Sequence, residues 1–247
     1  RISADNFAML LFNNDSLDLM EFVTSVREEF SAQRIHIRLQ FSIGCYVIND
    51  KHLSFNDMIS NAFLAKGTIK GRYNVSVATY NQEIKEQFME EQRIISRMDY
   101  ALAEGQFEVW LQPQYNHENG MMTGAEALAR WRDTERNILI LPNVFIPIFE
   151  RNGFIYELDK YIWEQVCIFL RRWLDKGKEP LPVSVNISRI DMLQNDFFEK
   201  ITELTEKYNI PTDLLQLEIT ESAFSFDTVR IIEMVKKLRS YGFVVEI

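Results

Sequence analysis

Leu181-Pro182-Val183-Ser184-Val185-Asn186-Ile187-Ser188 and Leu214-Leu215-Gln216-Leu217-Glu218-Ile219-Thr220 are the two stretches on which the fold turns. Both read as short strands, and a helix near Met192–Tyr208 separates them. Working outward, a helix through Tyr156–Leu174 precedes the first strand, and a helix near Asp227–Tyr241 with a final strand at Gly242–Ile247 follows the second. A hairpin, Phe107–Tyr115 and Met121–Trp131 around Asn119-Gly120, opens the region. Strands alternating with helices of this length mean βαβ units and a parallel sheet, with right-handed crossovers placing the helices outside it. The expected class is α/β: part of a β/α barrel, or an open doubly wound sheet. No GxGxxG or GxxxxGK[ST] follows any strand, which argues against a Rossmann or P-loop protein.

Upstream the pattern differs. Residues 17–32 and 55–70 are amphipathic helix candidates among the strand-like runs Ile37–Ile48 and Asn74–Tyr80, with turn signals at Asn49-Asp50 and Gly71. From Gln82 to Gly105 charged residues dominate, and Ile84, Phe88, Ile94, Ile95, Met98 and Leu102 recur at helical spacing. The expected division is a small α+β unit over 1–82, a connecting helix over 83–105 and the α/β region over 106–247. The run Phe7–Phe12 reads as a buried strand whose hairpin partner is expected before Arg1, and Gly242–Ile247 as a strand whose helix is expected afterwards. The chain is therefore expected to be part of a longer protein.

Composition bounds the function. Of 247 residues 47% are hydrophobic and 26% charged, so the chain can bury a real core. Lys plus Arg is 27 and Asp plus Glu 36, a net charge of −9, the wrong sign for binding duplex nucleic acid through counterion release. A small anionic ligand stays open, because a few placed Arg side chains and metal ions reverse the field locally. Cys45 and Cys167 are too few for a disulfide framework or zinc site and fit a reducing compartment. No apolar run is long enough to span a membrane, and no signal-peptide pattern appears.

The residues that carry chemistry lie at strand ends. Glu126 interrupts Met121–Trp131, Asn186 closes Pro182–Val185, and Glu218 sits near the end of Leu214–Thr220, with Glu221 three residues on. In parallel α/β architectures the carboxyl ends of strands converge on the face that carries the site. Oxygen donors without His or Cys suit Mg²⁺ or Mn²⁺, although three ligands make an incomplete set. Each acidic residue alone also fits a helix N-cap or a solvated loop. Arg130 fits a surface ion pair or a phosphate contact at the same mouth. Trp131 and Trp173 read as core aromatics, His36, His52 and His117 as surface or partly buried side chains, and Met89-Glu90-Glu91 as a solvated helix face.

Gly124-Ala125-Glu126-Ala127-Leu128-Ala129-Arg130-Trp131 resembles the name-giving motif of the EAL domains, the phosphodiesterases of cyclic di-GMP. Four further motifs follow the family's pattern: Leu111-Gln112-Pro113 resembles its first strand, Pro142 with Phe145-Ile146-Pro147 its next loop, Val185-Asn186-Ile187-Ser188 its asparagine strand, and Glu218-Ile219-Thr220-Glu221-Ser222 its second acidic motif. The resemblance implies a TIM-like β/α barrel with an antiparallel first strand. It implies Glu126, Asn186 and Glu218 as metal ligands for Mg²⁺ or Mn²⁺, and Gln112, Leu128 and Arg130 as contacts to cyclic di-GMP, with Arg130 at a phosphate. Glu221 would brace the loop after its strand. The family's Asp-Asp-Phe-Gly strand end and later ligands lie beyond Ile247, so these residues alone are expected to be inactive. The N-terminal unit resembles the second half of a GGDEF domain, the diguanylate cyclase fold. Ser3-Ala4-Asp5-Asn6-Phe7 sits at the Gly-Gly-Asp-Glu-Phe turn and departs from it at Ser3, Ala4 and Asn6. Without the glycines and the glutamate, no cyclase activity is expected.

The resemblance thus implies hydrolysis of cyclic di-GMP to linear pGpG by a two-metal mechanism in the intact protein. The alternative is a receptor that binds the dinucleotide without cleaving it, and a third reading treats the 247 residues as a half-barrel needing a partner to cover its strand edges. Cyclic di-GMP is the expected partner, a homodimer through the EAL domain is a further option, and the expected location is the cytoplasm, with or without a membrane anchor on the parent protein.

Overall fold

The computed structural model describes residues 1–2, 5–11, 21–22, 24–25, 28–29, 41–71, 76–219 and 228–246. It divides into two compact units, Arg1–Gln92 and Arg93–Ile247. In the first, strands β1 (Ile43–Cys45) and β2 (Val77–Thr79) pair in parallel, and helix α1 (Phe55–Ile69) packs against both. Ser54 caps α1, its Oγ accepting the Asp57 N–H at 3.2 Å. Gly44 is required where β1 meets α1, since a Cβ there would stand 1.8 Å from the Ala62 carbonyl oxygen. The expected strand at Phe7–Phe12 does not form over its described residues 7–11: they lie exposed, Phe7 at 73%, without a paired neighbour. An apolar run becomes a strand only when another strand takes its hydrogen bonds. Most of the helix expected over 17–32, the strand residues 37–40 and His36 fall outside the described residues.

Helix α2 (Gln82–Ala103) runs through the division between the units and ends before Gly105, whose φ is +64°. The second unit continues with β3 (Phe107–Tyr115), β4 (Met122–Asp133), β5 (Ile138–Ile140), α3 (Pro142–Asn152), α4 (Ile155–Asp175), β6 (Val183–Ile187), α5 (Arg189–Leu193), α6 (Phe197–Lys207), β7 (Leu215–Ile219), α7 (Thr228–Tyr241) and β8 (Val245–Glu246). The sheet order is β3-β4-β6-β7-β8, with β5 paired to the far part of β4. β3 runs antiparallel to β4, while β4, β6, β7 and β8 are mutually parallel. The antiparallel first strand and the βαβ repeats agree with the α/β expectation. Among the described residues the sheet is open, ending at β3 and β8, and they form no closed barrel.

Alternate residues sort the sheet into two faces. Ala127, Val183, Val185, Ile187, Leu215, Leu217, Ile219 and Val245 are buried in one core with Trp163, Val166, Leu170, Phe197 and Ile201 of the helices. A second core joins Phe107 and Trp131 of the hairpin to Ile94, Phe145, Phe149 and Leu158. Each such side chain contributes roughly 1.5–3 kcal/mol by leaving water. The intervening residues of the strands include Gln112, Glu126, Ser184, Asn186, Gln216, Glu218 and Glu246, with Trp110 and Leu128 beside them. With period-two alternation these fall on the face turned from the helices.

Three expectations are corrected. Phe145-Ile146-Pro147 lies in helix α3 rather than a loop. Pro142 stands at its first position, where a missing N–H costs nothing, and Phe145, Ile148 and Phe149 at i, i+3 and i+4 are buried. The helix expected over Met192–Tyr208 is two, because Ser188 and Asp191 form a capping box that starts α5 early and the chain breaks at Gln194. Trp131 is a core residue at 0% exposure, but Trp173 is 38% exposed, its ring against Phe169 and Lys178. His52 and His117 are exposed, and Glu90 and Glu91 are half-buried. No helix among the described residues is long and apolar enough to cross a membrane.

Candidate active site

Strand register brings the predicted residues together. Gln112 on β3 stands opposite Glu126 on β4, Glu126 pairs in parallel register with Ser184 on β6, and Asn186 with Glu218 on β7. The Asn186 Nδ2 donates to Glu126 Oε1 at 2.9 Å, tying β6 to β4 across the mouth. Ser184 Oγ donates to Glu218 Oε2 at 3.4 Å. Gly124, two residues before Glu126, lets β4 approach β6: a Cβ would lie 2.9 Å from the Pro182 carbonyl oxygen. From the helix side the Trp163 indole N–H bonds the Asn186 carbonyl at 3.2 Å, fixing the end of β6.

The carboxylates of the mouth repel one another. Burial pushes the Glu218 carboxyl up, the Glu126 carboxylate pushes it further, the Ser184 hydroxyl opposes both, and Glu246 adds repulsion. Glu246, opposite Glu218 in register, had been read only as part of a buried strand; its place on the polar face is legible from the period-two count. Glu126, Asn186 and Glu218 supply hard oxygen donors, and mutual repulsion of the carboxylates is what a divalent cation relieves, so the set fits Mg²⁺ or Mn²⁺. It is an open, partial set: among the described residues no three His, Cys, Asp or Glu side chains close around one point.

Farther along the hairpin, Leu128 faces Trp110 and Arg130 faces Glu108. Arg130 donates to the Ala129 carbonyl at 2.8 Å and lies 5.7 Å from the Trp110 ring centroid. Glu108 is held by Arg132 and by the Trp110 indole, and those bonds lower its carboxyl pKa. Among the described residues no carboxylate pairs with Arg130. Trp110, 45% exposed, is a residue the motif reading missed, although its spacing of two from Gln112 places it on the same face.

Glu221, Ser3 and Ala4 lie outside the described residues. Asn6 Nδ2 bonds Asp5 Oδ1 at 3.3 Å and its Oδ1 accepts from Lys66, so the amide is engaged within the first unit; Phe7 is exposed.

MucR of Pseudomonas aeruginosa, a bifunctional diguanylate cyclase/cyclic di-GMP phosphodiesterase, is 23% identical over 246 residues, which cover 98% of this chain and 36% of MucR. The chain thus spans about a third of that relative. Among solved structures, the PaMucR phosphodiesterase in complex with c-di-GMP matches with a TM-score of 0.58 and 26% identity, over 62% of each chain. The S helix-GGDEF-EAL portion of Vibrio cholerae LapD bound to c-di-GMP matches with a TM-score of 0.56 at 18% identity, over 93% of this chain and 54% of that one, a likeness of fold. The EAL domain family matches residues 95–247, which take in every strand of the polar mouth. On that match, the chain belongs to the EAL domain family.

Proposed function

We propose that the protein, at its full natural length, is a cyclic di-GMP phosphodiesterase that opens the ring to linear pGpG. The observation carrying this is the Asn186–Glu126 bond beside Glu218, which gathers the acidic and amide motif residues at one strand-end mouth. In the reaction the oxygen of water becomes bonded to phosphorus, the bond from phosphorus to the 3′ oxygen breaks, and that oxygen takes a proton. Glu126, Glu218 and the side-chain Oδ1 of Asn186 would hold Mg²⁺ or Mn²⁺, which would supply Lewis acidity of the two-metal kind. The Asn186 side-chain amide donates to Glu126 and would have to turn to present Oδ1 to a cation. Arg130 neutralises a phosphate oxygen, while Gln112 and Leu128 bound the nucleotide; Glu221 braces the following loop.

The first unit we infer to be a degenerate GGDEF domain over 1–82, joined by a connecting helix over 83–105 and without cyclase activity. The LapD likeness over 93% of the chain supports the fold, and an engaged amide at Asn6 supplies neither charge nor base. The alternative to hydrolysis is a receptor that binds cyclic di-GMP uncleaved. The test is incubation of the full-length protein with cyclic di-GMP and Mg²⁺ or Mn²⁺, with chromatography of the nucleotides. Linear pGpG from wild type and none from Glu126→Gln is expected; a bound but intact dinucleotide establishes the receptor instead. A cytoplasmic setting and a homodimer through the EAL domain remain part of the proposal.

A further inference from the structure

Beyond the end of β6, carboxyl groups from α3, α4 and α5 act on one another. Asp191 in the first turn of α5 is fully buried; its Oδ2 accepts the Ser188 N–H at 2.6 Å, and its own N–H bonds Ser188 Oγ at 3.2 Å. Its Oδ1 is also buried and meets no donor. Asp159, in the second turn of α4, stands within hydrogen-bonding reach of Asp191, and Glu150 of α3 adds its charge to both. Nearby, the Tyr156 hydroxyl donates to Asp196 Oδ1 at 3.0 Å, and Asp196, Asp191 and Glu157 all act on it. Two ionised carboxylates repel strongly where water is excluded, and an orphaned buried acceptor costs about 1–3 kcal/mol. One shared proton removes both penalties.

We propose that Asp159 is a positioning residue that keeps its proton at neutral pH and donates it to Asp191 Oδ1, clamping the Ser188–Asp191 box and, through it, the end of β6 that carries Asn186. Burial raises the Asp159 carboxyl well above the ordinary range, and Asp191 raises it further; burial pushes Asp191 up to about 6, against the Ser188 bonds and the bond from Asp159. The Ser188 N–H donated to Asp191 Oδ2 favours the ionised form of Asp191, and its orphaned Oδ1 needs a donor, so the proton falls to Asp159. The pair titrates as a unit. Because the folded state holds a proton that the unfolded chain releases near pH 4, the stabilisation is complete below about pH 4. It is lost as pH rises through about 6, the Asp191 value, and beyond as Asp159 ionises.

The proton sharing is independent of the proposed reaction; only its effect on the mouth rests on that reading. The test combines infrared spectroscopy with thermal unfolding across neutral pH for wild type, Asp159→Asn and Asp159→Ala. Wild type at neutral pH is expected to show a protonated carboxylic acid band that Asp159→Asn lacks. The amide, a permanent donor, should keep the low-pH melting temperature and abolish the alkaline decline. Asp159→Ala should melt lower and bind Mn²⁺ about tenfold more weakly, as removal of outer support does at metal sites. Identical wild-type and Asp159→Asn spectra, or an unchanged alkaline decline in Asp159→Asn, overturn the proposal, and this holds even where Asp159→Ala does not fold. A carboxylic acid band in protein that binds no cyclic di-GMP supports the shared proton and counts against the proposed substrate alone.

Discussion

Arg130 and Glu126 sit on one face of β4, four residues apart, and under the proposed function they would divide the work of meeting an anionic diester. The guanidinium has no carboxylate partner among the described residues, so its donors are available to a phosphate at little cost. Arg130→Ala is expected to weaken cyclic di-GMP binding by about one to two orders of magnitude, the equivalent of about 1.5–3 kcal/mol for a charge-assisted bond. Calorimetric titration reads this directly, and an unchanged affinity removes Arg130 from the phosphate. Glu126 acts on Glu218 through space. In metal-free protein Glu126→Gln should shift the Glu218 titration toward the ordinary carboxylate range, since one of the two main causes of its upward shift is gone. Carbon-detected NMR of the side-chain carboxyls follows it. At this scale the sequence was most informative: Gln112, Glu126, Asn186 and Glu218 were identified from motifs and meet in register. Trp110, Ser184 and Glu246 were not, because what places them is their parity along a strand, and parity gains meaning only once the neighbouring strands are aligned.

At the scale of elements, two contacts hold the mouth in place. The Trp163 indole on α4 bonds the Asn186 carbonyl, so Trp163→Phe should cost about 1 kcal/mol for the lost bond, read by urea unfolding. The same change should reduce ligand affinity, while a purely packing role would leave it untouched. Asp133 at the end of β4 is fully buried and takes bonds from Arg93 of α2 and from Arg136. Burial pushes its carboxyl up, and the bonds from Arg93 and Arg136 outweigh that, leaving it below the ordinary range. The stabilisation is therefore present above about pH 4 and lost as pH falls through the depressed value. Asp133→Ala should cost on the order of 3 kcal/mol at neutral pH and flatten the acid limb of the unfolding profile. A mutant as acid-sensitive as wild type would show that other carboxylates set that limb. Long periodic helices were legible in the sequence, as α1, α2, α4 and α7 attest. The three-residue β5 carries too few positions to show a period. Helix α3 was hidden by its two prolines, which read as loop until Phe145, Ile148 and Phe149 are seen buried together.

For the whole molecule, the hairpin and the βαβ alternation from Tyr156 onward were legible in the sequence, while β5, α3 and the break between α5 and α6 were not, and the EAL family match over 95–247 gives that order its context. The division of the chain at Gln92/Arg93 falls inside a continuous helix, which composition read as a connector and no local signal could split. The central claim is that one polar strand-end mouth gathers cation and phosphate around Glu126, Asn186, Glu218 and Arg130. A crystal structure of the full-length protein with cyclic di-GMP and Ca²⁺, chosen to slow turnover, tests it most directly. It should show a cation on Glu126, Asn186 Oδ1 and Glu218, and a phosphate oxygen at Arg130. A dinucleotide bound elsewhere, with Asn186 Nδ2 still donating to Glu126, would contradict the claim.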